Sequence, residues 1–462
     1  MFDTFNRFRY DLITKRASQL FISLVFLPSL LACSSASPQL TRLYQTSQPL
    51  ADQPPVILIH GVFGGRLCDS NGKEQWPGSV VDLLFKNYSD LSLAVSDEGA
   101  TATPLSACGM TDTVAGQDFY GKIDKTLAQA GGYQLTEPGT EVNDGQRRYY
   151  QFTYDWRQDN QLSAVKLDRL VEQIRRDYRQ ADLQVDIVAH SMGGLLTRYW
   201  LRYGVVDVLN GNDFPNTHGS GDKVRRVILV GTPSLGSTSA LQQQLRGADL
   251  GVNTIKPEVL LSFPSGYQLL PHPIVDVVLG SDGGSLDRDI FDISLWQALE
   301  WGPYDPVIRQ RLIEAGWSET QLTDFERYTG VYLERARRFV WSLTVENPAS
   351  PYELVVFGGD CNLTPARIVI EDVGDESHVR LWPDEIRAPR EGVDYEALML
   401  EPGDGSVTKA SLLARSTLDP SIPRHRFSDF PLNYSVMFCE DHGQLTGNLT
   451  FQDNLLHILL SR

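Results

Sequence analysis

The stretch QVDIVAHSMGGLLTRYWLRYG, Gln184–Gly204, runs largely apolar, meets a lone serine between small residues, and turns helical at once. Few chain geometries admit that order. A strand running up to Ser191 and a helix opened by Gly193 and Gly194 bring two backbones close together, which only small neighbours tolerate. Ala189, Gly193 and Gly194 supply them. The pattern G-x-S-x-G lifts a nucleophilic hydroxyl clear of a sheet, and here Ala189 replaces its first glycine, an added methyl that small-residue packing absorbs. The plainer reading makes Ser191 only the cap of the helix that follows.

That corner presupposes a strand-then-helix architecture, and the chain repeats it. Short β-branched runs occur at PVILIHG from Pro55, RRYYQFTYDWR from Arg147, LQVDIVAHS from Leu183 and VRRVILVGTPSLGS from Val224. Helical spacing separates them, as with Leu167, Leu170, Val171 and Ile174. Alternation of this kind predicts a mostly parallel α/β sheet with flanking helices. Further strands are expected at ELVVFGG from Glu353, ARIVI from Ala366 and NYSVMFC from Asn433.

From about 238 to 348 the rhythm breaks. This interval holds Trp296, Trp301, Trp317 and Trp341, then Phe325, Tyr328, Val331, Tyr332, Phe339 and Val340 at helical spacing. An inserted helical, aromatic-rich cap is expected here, its stripe serving either core packing or the lining of a pocket.

The N-terminus has its own character. Arg7, Arg9, Lys15 and Arg16 precede the apolar run Leu20–Leu31, too short to span a bilayer, so residues 1–32 read as an export signal. Its end, LLACSS, resembles the lipobox of bacterial lipoproteins, with Cys33 as the lipidated residue. Ordinary cleavage after Ala36 is the other reading. Residues 33–54, rich in Ser, Gln and Pro, read as a tether of at most roughly 70 Å. Residues 55–462 read as the catalytic domain. Because Ser34 follows Cys33 where an aspartate would retain many lipoproteins at the inner membrane, the outer membrane is the expected location. A secreted eukaryotic relative, with N-x-S/T sites at Asn87, Asn362, Asn433 and Asn448, is the alternative.

Charge narrows the partners. Loss of residues 1–32 removes four basic and two acidic groups, which moves the formal charge from −17 to −19. A nucleic-acid partner is not expected, and anionic headgroups would repel such a surface, so membrane proximity would have to come from the lipid anchor. No Cys/His spacing suggests a metal.

A serine nucleophile needs a base and oxyanion donors. HGVFGG, His60–Gly65, follows the first strand directly, so the backbone N–H groups of Val62 and Met192 are the expected oxyanion pair. Of eight histidines, His442 in MFCEDHGQL lies after the last strand, where the base of this arrangement belongs. His457 reads as a helical packing residue, and His272 and His378 are poorly placed. For the orienting acid, Asp404 in EPGDGSV competes with Asp360 in FGGDCN.

With HGVFGGRL, YDWR at Tyr154–Arg157, AHSMGG, GTPSLGS, GDGSV and DHGQL in order, the chain resembles the lecithin:cholesterol acyltransferase family over most of 55–460. The resemblance implies an α/β-hydrolase fold and acyl transfer on lipid esters without a cofactor. It implies a triad of Ser191, Asp404 and His442, which decides for Asp404 over Asp360. The family's first oxyanion motif usually carries Pro-Gly, where this chain has His60-Gly61. Asp155 and Arg157 read as structural partners beside the site, with Trp156 as packing. A binding or assembly lipoprotein that keeps the fold without the chemistry is the alternative function. Export favours oxidation, so Cys68 is expected to pair with Cys108 and Cys361 with Cys439.

Overall fold

A computed structural model describes residues 38–47, 53–95, 104–114, 117–215, 217, 219–251, 253–345, 350–374, 376–415 and 430–461. The export stretch 1–32 and Cys33 lie outside the described residues.

Seven strands build the central sheet: β1 Val56–Ile59, β2 Tyr133–Leu135, β3 Arg147–Phe152, β4 Val185–His190, β5 Val224–Val230, β6 Glu353–Gly359 and β7 Tyr434–Phe438. Their order is β7-β6-β5-β4-β1-β3-β2, and every pairing is parallel. Parallel strands with both faces covered read as unbroken apolar runs, which is why β1 is buried at all four positions and β4 at all six. The pleat sorts those residues in alternation. Ile57 and Ile59 join one core with Leu167, Val171 and Leu196, while Val56 and Leu58 join the other with Phe451, Leu455 and Leu459.

Helices cover both faces. Asn160–Asp177, capped by the Asp159 side chain on the Gln161 N–H, buries Ala164, Leu167, Val171 and Ile174 at spacings of three and four. On the other face lies Leu449–Leu460. There His457 is exposed, contrary to the expected packing role, because the buried stripe falls on Leu455, Leu456, Ile458 and Leu459. ARIVI also forms a strand, but Ile368–Val373 pairs with Val278–Gly280 and Glu376–Arg380 in a separate three-stranded sheet.

The interval between β5 and β6 is mainly helical, from Thr238–Arg246 to the long Glu319–Ser342. Its aromatic stripe is core: Phe325, Tyr328 and Phe339 are buried, while Val331 faces solvent. Within the stretch read as a tether, Leu40–Tyr44 is a helix packed through Leu40 against Ala130 and Leu456, with the Tyr44 hydroxyl donating to Asp453. Both expected disulfides are present, Cys68–Cys108 and Cys361–Cys439.

Candidate active site

The carboxyl ends of parallel strands are where such a sheet presents ligand sites. Ser191 stands at the end of β4 with φ 53° and ψ −126°, a left-handed conformation that costs a non-glycine residue about 1–3 kcal/mol. The close approach explains the small neighbours. A Cβ on Gly193 would lie 2.5 Å from the His60 carbonyl oxygen, and one on Gly61 2.7 Å from the Ser191 Cβ. The Ser191 N–H donates to the Val230 carbonyl, and the helix Met192–Tyr203 runs to Gly204 at φ 59°.

His442 follows β7, and its Nε2 lies 2.9 Å from Ser191 Oγ. Its Nδ1 lies 2.8 Å from Asp404 Oδ2. Asp404 is buried, and its other oxygen accepts the N–H groups of Ser406 and Val407. Nδ1–H therefore donates to the carboxylate, which leaves the Nε2 lone pair facing the serine hydroxyl. Burial lowers the His442 pKa, but the Asp404 charge and its hydrogen bond outweigh burial and raise it above the ordinary value. Asp360 instead pairs with Lys409 at 2.6 Å. The two histidines read as poorly placed are engaged elsewhere, His272 with Thr344 and the Ile274 N–H and His378 with Glu376.

The turn after β1 is latched at nearly every peptide. Gly61 O accepts from His60 Nδ1–H at 2.8 Å and from the Gly64 N–H at 3.1 Å. Tyr154 Oη donates to His60 O at 2.8 Å, and the indoles of Trp156 and Trp76 donate to Gly65 O and Phe63 O, each at 2.9 Å. The YDWR motif thus acquires a purpose. Tyr154 and Trp156 hold the turn, while Arg157 grips Asp155 through two bonds of 2.8 Å and ties back to Leu91 O. Trp156 does more than pack.

Val62 borders the cavity beside Ser191, and Met192 opens its helix. Among the described residues neither backbone N–H has an intramolecular partner. Unpartnered backbone N–H groups of this kind are what an oxyanion requires.

Ser191 and His442 open into a cavity of about 510 Å³, within the usual range for small-molecule sites. Apolar side chains dominate its wall: Val62, Phe63, Trp76, Leu83, Phe119 and Leu250. Most come from the excursion between β1 and β2, which Cys68–Cys108 and a small antiparallel sheet hold together. None of the four cap tryptophans lines this cavity. Trp76 ends the three-residue strand Glu74–Trp76 and Phe119 follows the two-residue strand Gln117–Asp118, both too short for a period to show, so the sequence carried only the cysteine-bounded excursion itself as a signal.

The model of the lecithin:cholesterol acyltransferase family matches residues 135–329, a span that includes Ser191 and stops short of Asp404 and His442. No curated protein matches the chain. Among solved structures, a chain of the Tle4–Tli4 complex aligns with TM-score 0.52 and 12% identity, covering 88% of this chain and 98% of that one. The mature form of Bacillus licheniformis lipase BlEst2 aligns with TM-score 0.35 and 12% identity over 90% of this chain and 95% of that one. EstA from Clostridium botulinum aligns with the same TM-score and identity over 90% and 89%. The chain has an α/β-hydrolase fold, and its residues 135–329 match the lecithin:cholesterol acyltransferase family model.

Proposed function

We propose that this protein transfers the acyl group of a lipid ester through a covalent intermediate on Ser191. The observation that carries the reading is the unbroken chain from Ser191 Oγ through the His442 ring to Asp404, at the mouth of an apolar cavity. His442 Nε2 takes the hydroxyl proton as Oγ bonds to the ester carbonyl carbon. The carbonyl oxygen becomes an oxyanion facing the N–H groups of Val62 and Met192. As the intermediate collapses, the carbon–alkoxide bond breaks and His442 returns the proton to the leaving alcohol. Water or a second alcohol then repeats the attack, with His442 again as base, and frees Ser191.

A lipid substrate is favoured by the cavity wall and by what stands next to it. The helix Val80–Phe85 buries none of its residues, and Val80, Val81, Leu84 and Phe85 are all exposed, Phe85 by 81%. Leu83 of the same helix borders the cavity. Contiguous exposed apolar side chains mark an interaction surface. Attachment through a lipidated Cys33 at the outer membrane accords with this reading and rests on the leader sequence. Fatty-acid labelling that is lost in Cys33→Ser checks the anchor.

The product decides the acceptor. Incubation with mixed phospholipids and a sterol, followed by mass analysis, gives free fatty acid alone for a hydrolase and new esters for a transferase. Neither product, from protein with intact disulfides, would leave the non-catalytic binding lipoprotein as the better reading.

A further inference from the structure

Two buried residues outside the triad join its parts. Tyr120 Oη lies 2.8 Å from the Gly61 nitrogen and 2.7 Å from His190 Nδ1, and His190 Nε2 lies 3.2 Å from the His442 carbonyl oxygen. Proton bookkeeping permits one arrangement. The His442 carbonyl can only accept, so Nε2 carries the His190 proton, the Nδ1 lone pair takes the phenol hydrogen, and the phenol oxygen accepts from the Gly61 N–H. Nδ1 is then an acceptor, the His190 proton sits on Nε2, and Nε2–H donates to the His442 carbonyl. The His442 carbonyl sets the tautomer, and the phenol hydrogen supports it from the other side of the ring.

We propose that Tyr120 and His190 are positioning residues that tie the oxyanion turn to the catalytic base. The inference rests on Ser191 and His442 acting as nucleophile and base.

At one end, the Val62 N–H belongs to the same peptide unit as Gly61 O. With that oxygen fixed by His60 and Gly64, and the preceding N–H fixed by Tyr120, the Val62 N–H direction is set. At the other end, His442 is held by its carbonyl to His190 and by its own N–H to Asp404 O. His190 also directly precedes Ser191, so one relay reaches all three working parts.

The relay holds a constant charge state. Burial, then the neighbouring His442, press the His190 pKa down to about 3, and burial pushes the Tyr120 phenol up. Around neutral pH the ring is neutral and the phenol protonated.

Tyr120→Phe removes the acceptor of the Gly61 N–H and the donor to His190 Nδ1. The His190 ring is then held only through Nε2 at the His442 carbonyl, and the link from the oxyanion turn to the base is broken. With a soluble short-chain ester, kcat is expected to fall at least about tenfold, less than the 10²–10³ seen on losing an oxyanion donor outright, with KM within about twofold. Inactivation by a neutral fluorophosphonate should slow by a similar factor, and the downfield proton resonance of His442 Nδ1–H should shift. His190→Ala should behave likewise, whereas His190→Gln, whose amide can donate to the His442 carbonyl, should recover most of the rate. Wild-type kcat and inactivation rate in Tyr120→Phe and His190→Ala would overturn the proposal, as would a change in KM alone. Should Tyr120→Phe fail to fold, the His190→Ala and His190→Gln pair decides. Ser191→Ala run alongside separates the two claims: turnover that survives it overturns the nucleophile and with it the premise of the relay, whereas turnover lost in Ser191→Ala but unchanged in Tyr120→Phe and His190→Ala overturns the relay alone.

Discussion

His442 meets Asp404 twice: its ring Nδ1 lies 2.8 Å from the Asp404 carboxylate, and its backbone N–H donates to the Asp404 carbonyl at 2.9 Å. The acid therefore holds the base by side chain and main chain together. In Asp404→Asn the main-chain bond persists, but an amide N–H turned toward Nδ1 moves the ring proton to Nε2, where it faces Ser191. A fall of about 10⁴ in kcat with little change in Tm is expected. A loss below tenfold would show that the carboxylate does not set the tautomer.

The pH profile follows from the same pair. In the proposed reaction His442 must be neutral to accept the Ser191 proton, and the Asp404 charge raises its pKa against the effect of burial. Activity should therefore fall as pH drops through a value above the ordinary histidine pKa of about 6.5. Titrating kcat/KM for a soluble ester between pH 5 and 9 tests this. An acid limb below that value would contradict the sign.

Cys361–Cys439 bridges the start of the segment leading to Asp404 and the end of β7, three residues before His442. Replacing both cysteines by serine should cost about 2–5 kcal/mol of stability and lower kcat in the variant that remains folded. The same change at Cys68–Cys108, which secures the cavity wall, should act on KM instead. Kinetics at a temperature where both variants are folded compare them.

Gly193→Ala places a methyl carbon 2.5 Å from the His60 carbonyl oxygen, a backbone atom that cannot swing aside. Overpacking of this kind costs about 1–3 kcal/mol, and because the strain falls on the turn before Val62, activity should drop as well. A lowered Tm with full activity would show that the turn does not serve the chemistry.

Val81→Ser with Phe85→Ser reduces the exposed apolar surface beside the cavity without touching the triad. Turnover of lipid in vesicles should fall several-fold while that of a soluble short-chain ester stays near wild type. Equal losses on both substrates would make the helix a structural element rather than a lipid-facing one.

Much of the sheet was legible because strands buried on both faces leave apolar runs, and six of its seven strands carry one. The three-residue β2 at Tyr133–Leu135 is too short to leave such a mark. Ser191 was legible because its corner forces small neighbours within a few residues. Asp404 was not separable from Asp360 by local pattern, since each directly follows a strand; the partners tell them apart, His442 for Asp404 and Lys409 for Asp360. The cavity wall was hidden for a different reason. Trp76 reaches the site from a three-residue strand, Phe119 and Tyr120 from irregular chain, and Tyr120 meets His190 across 70 positions, a contact with no periodic trace. The aromatic stripe of Glu319–Ser342 offered the opposite trap, a conspicuous pattern that serves only the core.

The central claim is that Ser191 carries the acyl group. Intact-mass measurement after mixing with an activated ester, followed by peptide mapping, tests it most directly. A single adduct of acyl mass on the peptide containing Ser191, decaying on addition of water or alcohol and absent from Ser191→Ala, is the result expected. An adduct on another residue, or one that survives in Ser191→Ala, would contradict the account.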